Sequence, residues 1–202
     1  IKFLYHKNTL VEEHIAGIPG DVFLEEYLPL PETNKIRIAK EFVKFNERCF
    51  ARLLGDMRSY NFVIDITPDI EDYQYRMRAI DFDQQSYEGR KNLYLPQFYR
   101  ENYEYVELVL KTLSPEVIKQ YQMEEQSAMA YRAVASRKEL MELLSIMIKD
   151  ELSEYHKIKM LREELNEHFQ TSYFSKCSTM GTIVKRQLKL VLQKHLQQIV
   201  TG

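Results

Sequence analysis

Three short polar side chains stand at the edges of apolar segments: Asp56 after Leu53-Leu54-Gly55, Asn61 at the head of a β-branched run, and Asp81 at the end of Arg78-Ala79-Ile80. A rigid scaffold that ends at such a residue holds it still while leaving it within reach of solvent, as a catalytic or metal-binding group requires. The runs Phe62-Val63-Ile64-Asp65-Ile66 and Arg78-Ala79-Ile80, with Thr67-Pro68-Asp69 and Glu71-Asp72 between them as turn material, predict a hairpin. A hairpin brings its outer ends together, so Asn61 and Asp81 become spatial neighbours. An amide oxygen beside a carboxylate makes a pair of hard ligands, of the kind Mg²⁺ takes while it also holds substrate phosphates. Asp56, on the loop before the hairpin, is placed to accept a hydrogen bond from a hydroxyl nucleophile or to orient it. The chemistry these residues point to is phosphotransfer. The same residues also admit a plain structural reading, with Asp56 in a turn, Asn61 at a strand start that tolerates left-handed backbone, and Asp81 and Asp83 at a solvated strand end.

The order Asp56-x-x-x-x-Asn61, a hairpin, then Asp81-Phe82-Asp83 resembles the catalytic loop and metal-binding segment of the protein-kinase-like superfamily. It is more similar to the atypical branch, which includes the aminoglycoside and small-molecule phosphotransferases and the HipA-type kinases, than to eukaryotic protein kinases. Leu54-Gly55 stand where His-Arg would precede the catalytic Asp, and Asp81-Phe82 is followed by Asp83 and not by Gly. The resemblance implies that Asp56 serves as base, that Arg58 meets the transferred phosphate, and that Asn61, Asp81 and Asp83 hold Mg²⁺. It also implies that Glu25, Glu26, Tyr27 and Leu28 form a hinge against the adenine of ATP, and that a helical large lobe carries the whole.

The elements that must position these groups follow from the spacing of apolar residues. Ile1 to Tyr5 and Leu10 to Ile15 predict two short strands, and after the turn Gly17-Ile18-Pro19-Gly20 the stretch Val22 to Leu28 predicts a third. Ile36, Ala39, Phe42, Val43, Phe45, Phe50, Leu53 and Leu54 recur at three-to-four spacing and predict a helix capped by Thr33 or Asn34. Lys35, Arg37, Lys40, Glu41, Lys44 and Glu47 fill its other face. That helix feeds directly into Gly55-Asp56. The stretch Gln84 to Lys91 is polar and takes the place of an activation segment. Beyond it the pattern predicts helices over 97–113, from Pro115 to about Ala135 behind a Ser114 cap, over 140–152 behind a Ser136-x-x-Glu139 capping box, from a Ser153 cap to about Phe169, and from Thr182 to about Val200. The expected fold class is α+β: a predominantly helical kinase-like large lobe over 31–202, holding a catalytic loop at 53–61 and a metal-binding segment at 79–83. Residues 1–30 are the expected remnant of a small lobe.

With 202 residues, 45% hydrophobic and 29% charged, the chain has the composition of an ordinary globular protein. A net charge of -2 gives no general attraction to nucleic acid or to an anionic membrane, and no apolar run is long enough to span a bilayer. Cys49 and Cys177 fall in unrelated settings, so neither a disulfide nor a thiolate metal site is expected, and a reducing cytoplasm is the expected location. His156 and His168 are not spaced to share a metal on their helix. No Gly-rich phosphate loop and no strand lysine precede the hinge, where Lys2 and Lys7 are poor substitutes. The chain opens on Ile1, and the expectation is a piece of a longer enzyme that is weak or inactive by itself. The expected partners are a nucleotide and a hydroxyl-bearing acceptor. Two alternatives stay open: a kinase-like binding module that has lost catalysis, and an unrelated helical interaction domain.

Overall fold

A computed structural model of the chain describes residues 3–6, 9–12, 14–70, 72–151 and 153–201, with the backbone alone at 3–6, 9–12, 200 and 201. Strands β1 (Phe3–His6) and β2 (Thr9–Glu12) form an antiparallel hairpin in which Phe3 faces Glu12. These strands overlap the two expected near the N-terminus, each reaching one residue further into the turn between them. Ile1, Lys2, Lys7 and Glu71 lie outside the described residues.

The third expected strand, Val22 to Leu28, is helical instead. After β3 (Ile18–Pro19), the short α1 (Gly20–Val22) runs into a π-helical turn, Phe23–Tyr27. Alternation would place Leu24 and Glu26 on one face. The helical turn buries Phe23, Leu24 and Leu28 together and leaves Glu25 and Glu26 exposed. Gly20 makes this possible: a Cβ there would press into the Phe62 ring and lie 2.5 Å from the Ser59 carbonyl.

Helix α2 (Lys35–Arg52) is the spine of the molecule and packs against α3, α4, α7 and β5, whose bounds follow. Its N-cap is Asn34, whose side chain accepts from the Arg37 amide at 3.1 Å. Phe42 and Phe45 bury one face against Phe62, Ile64, Met77 and Tyr105, while Phe50 faces a second cluster around Leu161, Leu165, Phe174 and Ile183. The charged face departs from expectation, because Glu41 and Glu47 are buried. Arg48 of the same helix and Gln126 of α4 satisfy them.

The predicted hairpin forms: β4 (Phe62–Pro68) and β5 (Tyr73–Ala79) are antiparallel with Phe62 opposite Ala79, and β3 joins the free edge of β4 through Ile18 opposite Ile64. The remaining helices are α3 (Tyr103–Thr112), α4 (Pro115–Ala135), α5 (Arg137–Met147), α6 (Tyr155–His168) and α7 (Met180–Thr201). The helix expected over 97–113 is broken into two 3-10 turns, Pro96–Phe98 and Arg100–Asn102, before α3 begins. Buried Asn102 ends the second turn by donating to the carbonyls of Met57 and Pro96. Ser114 caps α4 as expected, but Ser136 makes no side-chain cap bond to α5, and Ser153 donates to the Tyr87 carbonyl where it was expected to cap α6. Cys49 and Cys177 are buried free thiols. Among the described residues, no helix is long and apolar enough to cross a membrane.

Candidate functional site

The end of α2 determines how the loop begins. Leu53 caps the helix in the left-handed region at φ 50°, where its amide meets the Phe50 carbonyl and that of Leu54 meets the Cys49 carbonyl. Such backbone costs a non-glycine residue about 1 kcal/mol. Complete burial of the Leu53 side chain offsets it. Of the four described non-glycine residues with left-handed φ, three fall in one wall: Leu53, Asp56 at φ 53° and Ser86 at φ 54°. Strain concentrated in this way accompanies sites whose geometry the surroundings impose.

That wall is made by pairing the loop with the chain that follows Asp83. Leu54 bridges to Gln85, and the Ser86 amide donates to the Leu53 carbonyl at 2.8 Å. Gly55 fits because a Cβ there would lie 2.9 Å from the Gln84 carbonyl oxygen. A second layer holds the loop from the other side. The Asp56 amide meets the Leu93 carbonyl at 3.3 Å and the Tyr99 hydroxyl at 3.0 Å, and that hydroxyl donates to the same Leu93 carbonyl at 2.7 Å. Burial pushes the Tyr99 hydroxyl up to about 12, so it stays protonated and keeps donating.

Within this frame the structure brings Asp56, Arg58 and Asn61 into direct contact. The Asn61 Nδ2 donates to the Asp56 backbone carbonyl at 2.7 Å and to its Oδ2 at 3.3 Å, while the Arg58 Nε donates to Oδ1 at 2.8 Å. Arg58 also pairs with Glu101 at 2.7 Å and lies over the Tyr99 ring. These hydrogen bonds, that to Asp56 first, hold the guanidinium further above its ordinary value. The hairpin closes as expected, since the Ile80 amide donates to the Asn61 carbonyl at 3.1 Å. Asp81 is half-buried and its Oδ1 accepts from the Asp83 amide at 3.1 Å. The Asp83 carboxyl is held above its ordinary value by partial desolvation first, then by the charge and hydrogen bond of Asp81, then by the charge of Asp56. The three carboxylates thus share one electrostatic neighbourhood.

Glu25 and Glu26 are exposed, Tyr27 stacks on Phe23, and Leu28 is in the core. The backbone there is engaged within its own turns: the Leu28 amide meets the Phe23 carbonyl at 2.8 Å, and the Tyr27 carbonyl accepts from the Leu30 amide and the Thr33 hydroxyl. Sequence reasoning missed Tyr99, Glu101 and Asn102, which support the loop. Their only mark was a run of three polar residues set between aromatics, Tyr99-Arg100-Glu101-Asn102-Tyr103. Among the described residues, no group of three or more His, Cys, Asp or Glu side chains is gathered closely enough to hold a metal ion by itself. The expected Mg²⁺ set has a different composition, two carboxylates and one amide oxygen. Its donor chemistry and the crowded negative charge on Asp83 fit a hard cation that keeps several waters. No family model, curated protein or solved structure matches this chain.

Proposed function

We propose that this chain is the helical lobe of a kinase-like phosphotransferase that moves the terminal phosphate of ATP to a hydroxyl acceptor. The observation that carries the proposal is the closure of the hairpin beside the loop: Asn61 reaches back to Asp56, and Asp81 and Asp83 add their charges to the same neighbourhood. Asn61, Asp81 and Asp83 would hold Mg²⁺, which when bound neutralises charge on the phosphates. Asp56 accepts a hydrogen bond from the acceptor hydroxyl, and Tyr99, Asn102 and Asn61 keep its backbone in place while it does so. Arg58 is a positioning residue for Asp56 and the cation this reading assigns to the transferred phosphate. A hinge role for residues 25–28 and a cytoplasmic location belong to the same proposal; the buried free thiols support the second.

One observation favours the alternative of a binding module without catalysis. Both Asp56 carboxylate oxygens are engaged, by Arg58 and Asn61. The full chain distinguishes the two readings: a catalyst transfers phosphate from Mg²⁺-ATP and loses transfer in Asp56→Asn, whereas a dead module binds Mg²⁺-ATP or a partner without transfer. No Mg²⁺-dependent nucleotide binding and no transfer would defeat the phosphotransferase reading.

A further inference from the structure

A second site lies on the other side of α2, where it meets α4, α5 and α7. There the buried Arg48 pairs with Glu41 at 2.5 Å and with Glu125 at 3.1 Å, and donates to the Met77 carbonyl at 3.0 Å. Glu125 also meets Arg132 at 2.7 Å and Arg76 at 3.5 Å. Arg52, one turn beyond Arg48, donates its Nε to the Arg48 carbonyl at 3.0 Å and makes no ion pair among the described residues. All four guanidinium groups line one cavity of about 480 Å³, the size that small ligands occupy. Four positive charges face two paired carboxylates. Glu139 lines the same cavity, yet Arg52 is left without an ion pair among the described residues. Desolvation first, and then the charges of Arg48 and Arg132, hold the Arg52 guanidinium below its ordinary value against the raising effect of Glu125.

The part of the lining contributed by α5 and α7 has a different chemistry. Leu140, Leu143, Leu188 and Leu192 line it, and Leu143 at the rim is 54% exposed. A guanidinium without an ion pair and aliphatic side chains lining the same cavity form an amphipathic receptor. We infer that this cavity binds a small ligand with a carboxylate head and an unbranched apolar body, the head on Arg52 beside Arg132 and the body along Leu140, Leu143, Leu188 and Leu192. A single guanidinium without an ion pair matches a monoanion, and the planar fork of arginine matches a carboxylate. The inference stands apart from the phosphotransfer reading, because none of the four arginines belongs to the 56–61 or 81–83 segments.

The test is calorimetric titration of the full chain with decanoate, set beside decanol, acetate and decyl phosphate. Decanoate binds, while decanol and acetate bind about thirtyfold or more weakly, each lacking one half of the recognition. Arg52→Met, which keeps helix propensity and apolar volume, weakens decanoate by a similar factor. Leu143→Gln, at an exposed rim position that folding tolerates, weakens it by about fivefold or more. Equal binding of decanol and decanoate, undiminished decanoate binding in both variants, tighter binding of decyl phosphate, or no binding of any probe would each overturn the assignment.

Discussion

Arg58 and Asn61 between them occupy both carboxylate oxygens of Asp56, at 2.8 and 3.3 Å, and the backbone at Asp56 is left-handed. Asparagine tolerates that backbone and keeps a carbonyl for Arg58, so Asp56→Asn separates chemistry from folding. Under the proposed function, transfer from ATP falls by about a hundredfold or more. Stability changes by less than about 1 kcal/mol, because the pair with Arg58 is partly exposed. A transfer assay and a thermal melt on the same sample read both numbers. Asn102 behaves differently. Asn102→Ala removes two buried donors and leaves the Met57 and Pro96 carbonyls short of a partner, for a loss of about 2–3 kcal/mol in urea unfolding. At this scale the places of Asp56 in the loop after α2, Asn61 just before β4 and Asp81 just after β5 were legible in the sequence, because they follow from where the apolar runs stop. Tyr99 and Asn102 were not, because their partners are main-chain carbonyls of Leu93, Met57 and Pro96, and carbonyl positions leave no pattern in residue types.

Elements with strong periodicity were read correctly, namely α2 from its three-to-four spacing and the β4–β5 hairpin from its alternation. The failures have physical causes. Phe23-Leu24-Glu25-Glu26-Tyr27-Leu28 is too short to separate a strand from one helical turn by spacing, and close approach of Gly20 to Phe62 and Ser59 selects the turn. Gly20→Ala therefore costs about 1–3 kcal/mol by overpacking, measurable as a fall in the unfolding midpoint. The charged face of α2 was misjudged because a buried Glu or Arg looks like an exposed one until its partner is known, and the partners Glu125 and Gln126 lie on α4. Burial first, and the charge of Glu125 after it, raise the Glu47 carboxyl from its ordinary 4.5, against the lowering effect of the Gln126 bond. A raised folded-state acid stabilises below its unfolded value and loses that contribution as pH rises through the folded value. Glu47→Gln, with no proton to lose, thus melts higher than the parent chain at pH 7.5, and the difference closes at pH 4. Melts at the two pH values check the sign.

In the molecule as a whole, α2 contributes to both the Asp56 loop and the arginine-lined cavity. Its C-terminal end delivers Asp56 to the carboxylate cluster, and its opposite flank presents Arg48 and Arg52 to the arginine-lined cavity. The α+β class and the helical majority were legible from periodicity, whereas the cavity was not, since it is assembled from β5, α2, α4, α5 and α7 by tertiary packing. Under the proposed function, Asn61, Asp81 and Asp83 would hold a divalent ion beside the nucleotide phosphates. ATP affinity of the full chain, measured with Mg²⁺ and again with the metal chelated, tests it most directly. Binding is expected to require Mg²⁺ and to weaken about tenfold or more in Asp81→Asn. Affinity that is the same with and without the metal, and unchanged in the variant, would contradict it.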